Sequence, residues 1–200
     1  AYGQTHPEAC LGFVLRGIFL CTQPEIDWFL HGMRWFFPEA HERFAGAVPA
    51  EERSDLLSAY CRRLFDGPRA QNVEAARLWS GYEGSCLHLV PDPAAVEAVE
   101  APEVALSVGR LEAHYFRHAG FFAPGQLLQG VPRVAHLPAV IVQGRYDVVC
   151  PPATAWQLHR AWPGSRLHMV DAAGHSAFEP GIEAALVRAT NQFRDRQAFD

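Results

Sequence analysis

Residues 139–151 read AVIVQGRYDVVCP, and residues 166–176 read RLHMVDAAGHS. Each stretch opens on a short apolar run and closes on turn-forming residues. Runs of this length suit strands covered on both faces of a sheet. Between the two runs, Pro152 to Ala161 is helix-like, with Thr154, Ala155 and Leu158 offering one face. After them, Ile182 to Phe193 places Ile182, Leu186, Ala189 and Phe193 on one side of a second helix. Strand, helix, strand, helix predicts an α/β architecture with a parallel sheet. Gly12 to Phe19 (GFVLRGIF) predicts one more buried strand, and AYGQTHPE before it reads as the end of a helix.

The middle of the chain has a different grain. Glu51 to Phe65, Asn72 to Tyr82 and Glu103 to Phe116 read as amphipathic helices, and Pro91 to Pro102 as a Pro/Ala/Glu-rich link. Trp28, Phe29, Trp35, Phe36 and Phe37 form an aromatic cluster expected to build a core of its own. The expected organisation is therefore a first core segment at 1–21, a helical cap insertion at 22–130, and a C-terminal core segment at 131–200.

Composition narrows the chemistry. Of 200 residues, 49% are hydrophobic and 20% charged, so the chain forms a core. A net charge of −5 offers no bulk attraction to nucleic acid or anionic membrane. All 17 basic residues are arginine. A chain without lysine lacks the amine that a P-loop, a Schiff base or pyridoxal chemistry needs. No apolar run is long enough to span a membrane, and the N-terminus lacks the pattern of a signal peptide. Cys10, Cys21, Cys61, Cys86 and Cys150 are odd in number, scattered, and never arranged as C-x-x-C. Free thiols in a reducing cytoplasm are expected.

Two loops carry the candidate chemistry. Asp147 follows the strand at 139–143, and His175 follows the strand at 166–170. In open parallel sheets, ligands bind beyond the carboxyl ends of the strands. Asp then His at consecutive strand ends matches the Ser, Asp, His order of an α/β-hydrolase triad. The blander alternative makes Asp147 a helix cap and His175 a turn residue. No G-x-S-x-G nucleophile elbow occurs in the sequence. Ser85 has no elbow context, and Ser176 directly follows the histidine. The elbow is expected just before Ala1.

Several stretches resemble one family along the whole chain: VLRGIF at 14–19, DWF at 27–29, AARLWSGYEG at 75–84, RLEAHYFRHAGFF at 110–122, QGRYDVVCP at 143–151 and Ala173-Gly174-His175. Of these, WSGYEG and RLEAHYF are the family-specific ones. On them the chain is similar to the C-terminal two-thirds of the proline iminopeptidases, serine peptidases of the α/β-hydrolase superfamily with a helical cap. The resemblance implies Asp147 as triad acid and His175 as triad base. It implies Glu83 and Glu112 as ligands of the substrate's free α-amine, and Phe19, Phe116 and Cys150 as the lining of a slot for the pyrrolidine ring. Arg16 matches a family arginine near the site, expected to partner a carboxylate. Leu30 stands where the family often has Tyr, and Tyr82 where Trp is commoner. The substrates implied are peptides with an N-terminal proline, with no metal or organic cofactor and with homo-oligomerisation left open. As it stands, the chain is expected to be inactive and poorly stable.

Rival readings keep their place. Glu112 could pair with Arg110 or Arg117 on a solvated face. His114 and His118 have the i, i+4 spacing of a metal pair. Cys150 could act as a nucleophile beside His175. The function could be that of another capped hydrolase, such as an esterase, or of a non-catalytic binding module.

Overall fold

A computed structural model of the chain describes residues 1–199. Its strands are β1 (Phe13–Arg16), β2 (Ala139–Gly144) and β3 (Arg166–Val170). Its α-helices are α1 (Tyr2–Thr5), α2 (Gln23–Asp27), α3 (Pro38–Gly46), α4 (Leu56–Phe65), α5 (Arg69–Cys86), α6 (Pro93–Val99), α7 (Pro102–Arg117), α8 (Gln126–Gln129), α9 (Pro152–Ala161) and α10 (Pro180–Arg196). The chain forms two compact units, one of residues 1–20 and 123–199, the other Cys21–Phe122.

The first unit holds a three-stranded, all-parallel sheet in the order β1-β2-β3. Every residue of β2 is buried. Side chains alternate across a strand, so Ala139 and Ile141 serve one face and Val140 and Val142 the other. The first pair packs with Ala155, Leu158 and Trp162, in and just after α9. The second packs with Ile182, Ala185 and Ala189 of α10. Helices on both faces are what an apolar, non-alternating parallel strand requires.

The expectation of burial on both faces holds only for β2. Among the described residues β1 and β3 each pair on one side, so β1 is half-buried throughout and β3 alternates with solvent. The first strand is also shorter than the predicted Gly12 to Phe19, because Gly17 turns away with φ +54°.

The second unit is helical. Its core stacks Phe44 on Tyr60 and Tyr82, with ring centroids 4.4 and 4.6 Å apart. Trp79, fully buried, meets the edges of Phe44 and Tyr60. Burial pushes the Cys86 thiol up to about 12, which keeps it an inert thiol. All five cysteines are free.

Several expectations need correction here. Pro91 to Pro102 is not a plain link, because α6 forms within it. Asp92 accepts from the Ala95 N–H at 3.1 Å and Pro93 opens the first turn, a start signal present in the sequence. Glu51 to Phe65 is not one α-helix but a 3₁₀ stretch at Ala50–Asp55 followed by α4. Asp55 caps α4 through the Ser58 N–H at 3.0 Å. Of the aromatic cluster, only Phe29 lies in the core, at 3% exposure, while Trp35 and Phe36 are 78% and 63% exposed. Residues 123–130 were expected in the insertion but pack with the first unit. Gln4 Nε2 donates to the Leu127 carbonyl at 2.7 Å, and Leu128 packs on the Ile141 side of the sheet. Among the described residues, no helix is long and apolar enough to cross a membrane.

Candidate active site

Adjacent parallel strands deliver their C-terminal loops side by side, and two backbone bonds fasten these loops together. The Arg145 N–H donates to the Val170 carbonyl and the Tyr146 N–H to the Ala173 carbonyl, both at 2.9 Å. Gly144 is required at the end of β2, since a Cβ there would collide with the carbonyl of Gly174. The Gly174 N–H in turn donates to Glu179 Oε2 at 2.9 Å. The loop carrying His175 is thus set against the loop carrying Asp147.

Asp147 is buried and His175 is largely so, with side-chain exposures of 2% and 15%. His175 Nδ1 lies 3.1 Å from Asp147 Oδ1 and 3.0 Å from Oδ2. The Cys150 N–H donates to Oδ1 at 2.7 Å, and Gln143 Nε2 donates to Oδ2 at 3.0 Å. A carboxylate facing three donors holds its imidazole partner in the Nδ1–H tautomer, which leaves Nε2 as an acceptor.

That acceptor is occupied. Arg16, at the end of β1, places its Nη2 2.7 Å from His175 Nε2 and 2.9 Å from the His175 carbonyl. Arg16 was expected beside a carboxylate; it sits on the imidazole instead. The left-handed Gly17 explains the approach, because a Cβ there would lie 3.0 Å from His175 Cε1. Phe19 and Arg16 both line a cavity of about 250 Å³, with Phe13, Leu15, Leu158 and Trp162.

A second cluster lies wholly within the helical unit. Trp79 and Glu83 are i, i+4 on α5, and Glu112 and Phe116 are i, i+4 on α7, so each pair shares a helix face. Trp79 Nε1 donates to Glu112 Oε2 at 2.7 Å, and Phe116 meets Phe29 edge-on and lies tilted against Trp79. Glu83 also hydrogen-bonds to Glu112. Burial pushes the Glu112 carboxyl above the usual range, against the downward pull of these hydrogen bonds. The solvated-face alternative for Glu112 fails: Arg110 instead donates to the Leu64 carbonyl at 2.8 Å and to Asn72 at 3.0 Å.

The raised Glu112 group has a consequence for stability. The folded chain holds the Glu112 proton to higher pH than the unfolded chain, so this group's contribution weakens as pH rises from the ordinary glutamate range of about 4.3 through its raised value. Glu112→Gln removes the ionisation and keeps an acceptor for Trp79. Its stability relative to wild type, measured by urea unfolding, is expected to improve from about pH 4 to pH 8. A pH-independent difference would contradict this.

The sequence-predicted residues thus fall into two groups. Arg16 and Asp147 each contact His175, and Cys150 joins Asp147 through its backbone N–H. Glu83, Glu112 and Phe116 cluster in the helical unit. His114 and His118 have rings 5.0 Å apart, and no third metal-ligating side chain joins them among the described residues. Ser85 and Ser176 are tied to local backbone, at Gly81 and Phe178. Two residues were missed, Gln143 and Trp79. Each left a signal: a buried amide at a strand end, and an indole one helical turn before Glu83.

A family model described as "TAP-like protein" matches residues 123–195. A protein of Leptolyngbya boryana named "Probable proline iminopeptidase" is 49% identical over 96% of this chain and 61% of its own length. "Proline iminopeptidase" of Xylella fastidiosa is 47% identical over 96% of this chain and 62% of its own. The Arabidopsis thaliana protein of the same name is 44% identical over 97% of this chain and 52% of its own. The chain therefore spans about three-fifths or less of these relatives. This chain carries an α/β-hydrolase-type domain, and over 96% of its length it is similar to proteins named proline iminopeptidase.

Proposed function

We propose that this chain supplies the acid, the base and the amine-recognition groups of a serine aminopeptidase that releases N-terminal proline from peptides. The observation that carries the reading is Asp147 on His175 Nδ1 at 3.0 Å, on loops from adjacent parallel strands. In this reading His175 Nε2 takes the proton from a serine hydroxyl as the oxygen attacks the carbonyl of the proline residue. The same proton passes to the leaving amine, and water then hydrolyses the acyl-enzyme. Backbone N–H groups hold the oxyanion. In this reading Arg16 must leave Nε2 before a serine hydroxyl can donate to it.

Glu83 and Glu112 are assigned to the ammonium of the substrate. Paired carboxyl groups among aromatic rings favour a charged ammonium, with which they make charge-assisted hydrogen bonds, over a neutral, blocked amine. Phe19 and Cys150 are assigned to apolar walls around the pyrrolidine ring.

The test is the pair of rates on a free and an N-acetylated proline chromogenic amide, with protein expressed from its complete reading frame. Free proline amide is expected to be hydrolysed and the acetylated one left. Glu83→Gln and Glu112→Gln are each expected to shrink that ratio by about tenfold or more, since charge-assisted bonds are worth about 1.5–3 kcal/mol. An unchanged ratio would favour an esterase-like hydrolase on the same fold. No turnover of either amide would favour a binding module.

A further inference from the structure

Gln143 is an anomaly of β2. Every residue of that strand is buried, and all but this one are small or apolar. Its side chain is 1% exposed, and its Oε1 has no hydrogen-bond partner. An apolar side chain of equal length would suit the strand better, because a buried acceptor without a donor is costly.

Its amide nitrogen is fully engaged. Nε2 donates to Asp147 Oδ2 at 3.0 Å and to the Cys150 carbonyl at 3.1 Å, with a longer contact to the Gly144 carbonyl at 3.3 Å. The opposite amide orientation would set Oε1 against a carboxylate and a carbonyl, so this assignment is secure. Gln143 therefore clips the loop 144–150 shut while holding one oxygen of the acid.

The other oxygen is held by the Cys150 N–H at 2.7 Å. Two oxygens pinned by two different donors define the plane of the carboxylate. His175 Nδ1 sits almost equally far from both oxygens, at 3.1 and 3.0 Å, so the imidazole takes its aim from that plane. With one donor removed, the carboxylate can turn about its soft terminal torsion.

We infer that Gln143 is a positioning residue that sets the plane of the Asp147 carboxylate and, through it, the orientation and tautomer of His175. The inference rests on the peptidase reading only for its effect on rate. The geometry stands apart from that reading and is tested apart from it.

The first measurement is NMR of the isotope-labelled protein expressed from its complete reading frame. In wild type, the Gln143 amide protons are expected to exchange slowly and the His175 Nδ1 proton to be visible. Gln143 protons exchanging as fast as those of exposed amides would overturn the inference. The second measurement uses Gln143→Met, which keeps length and removes the orphan acceptor. Its thermal midpoint is expected below that of wild type, because Asp147 Oδ2 and the Cys150 carbonyl lose their donor, while the His175 Nδ1 proton exchanges about tenfold faster or disappears. An unchanged His175 signal would overturn the inference, even with the midpoint lowered. Gln143→Asn, whose amide falls one methylene short, is expected to lose the same signal and serves if the Met variant does not fold. Finally, in protein from the complete reading frame, Gln143→Met is expected to lower kcat on proline amides by about tenfold to a hundredfold with KM little changed. A rise in KM at constant kcat would overturn the positioning role. Absence of turnover in wild type would overturn only the peptidase reading, leaving the NMR result to decide this one.

Discussion

Replacing His175 by alanine, in protein expressed from its complete reading frame, is expected to lower kcat/KM for a proline chromogenic amide by about 10,000-fold or more. The loss falls on kcat. His175 is the group placed to carry the proton, and its Nδ1 lies 3.0 Å from the Asp147 carboxylate. The groups assigned to the substrate ammonium, Glu83 and Glu112, lie on α5 and α7 of the other unit and remain in the variant. KM should therefore move little. Asp147→Asn is expected to approach the same loss by a different route. Asp147 accepts from Cys150 N–H and Gln143 Nε2, so an amide there turns a donor against one of them. It also ceases to hold the imidazole in the tautomer that leaves Nε2 as acceptor. Hydrolysis that survives His175→Ala would remove the basis for a serine-peptidase mechanism built on this pair.

The largest effect on stability is expected at Trp79. Its side chain is fully buried, and its ring lies 5.1 Å from Phe29, 5.5 Å from Tyr60, 5.8 Å from Phe44 and 5.9 Å from Phe116. Trp79→Ala empties the centre of that cluster and should cost about 3–5 kcal/mol. It also strips Glu112 of its indole donor, leaving a buried carboxyl with one fewer partner. A domain whose whole stability is about 5–15 kcal/mol is brought near its unfolding midpoint by such a change. Near-UV circular dichroism and urea unfolding should report a helical unit that melts early. Trp79→Phe keeps a single ring in the cluster, loses the N–H and part of the ring volume, and should cost less than the alanine. Equal losses for Ala and Phe would mean that the hydrogen bond, and not the packing, is what Trp79 supplies.

How far the site could be read from the chain depended on the range of the interactions involved. Asp147 and His175 each end a short apolar run followed by turn residues, and such patterns are local. The helices α9, α10 and α7 were legible for the same reason, and α6 should have been, since Asp92 and Pro93 are a local start signal. Arg16 was legible as a residue near the site but not in its contact. Its partner lies 159 positions away in sequence, and only the parallel pairing of β1 with β2 and of β2 with β3 brings the two together. Glu83 and Glu112 were legible through the motifs around them, but the burial that pushes the Glu112 carboxyl up was not, because it follows from the packing of α5 against α7.

The sequence by itself determined the alternation of strand and helix, the strand-end positions of Asp147 and His175, and the resemblance to the proline iminopeptidases. Each is carried by spacing along the chain. Tertiary structure alone decided that β2 is buried on both faces while β1 and β3 are edges. It also decided that Arg16 lies on the imidazole, that Trp79 anchors Glu112, and that Gln143 holds the acid. Burial and hydrogen-bond partnership are properties of neighbours in space, and these residues acquire theirs only when segments distant in sequence pack together.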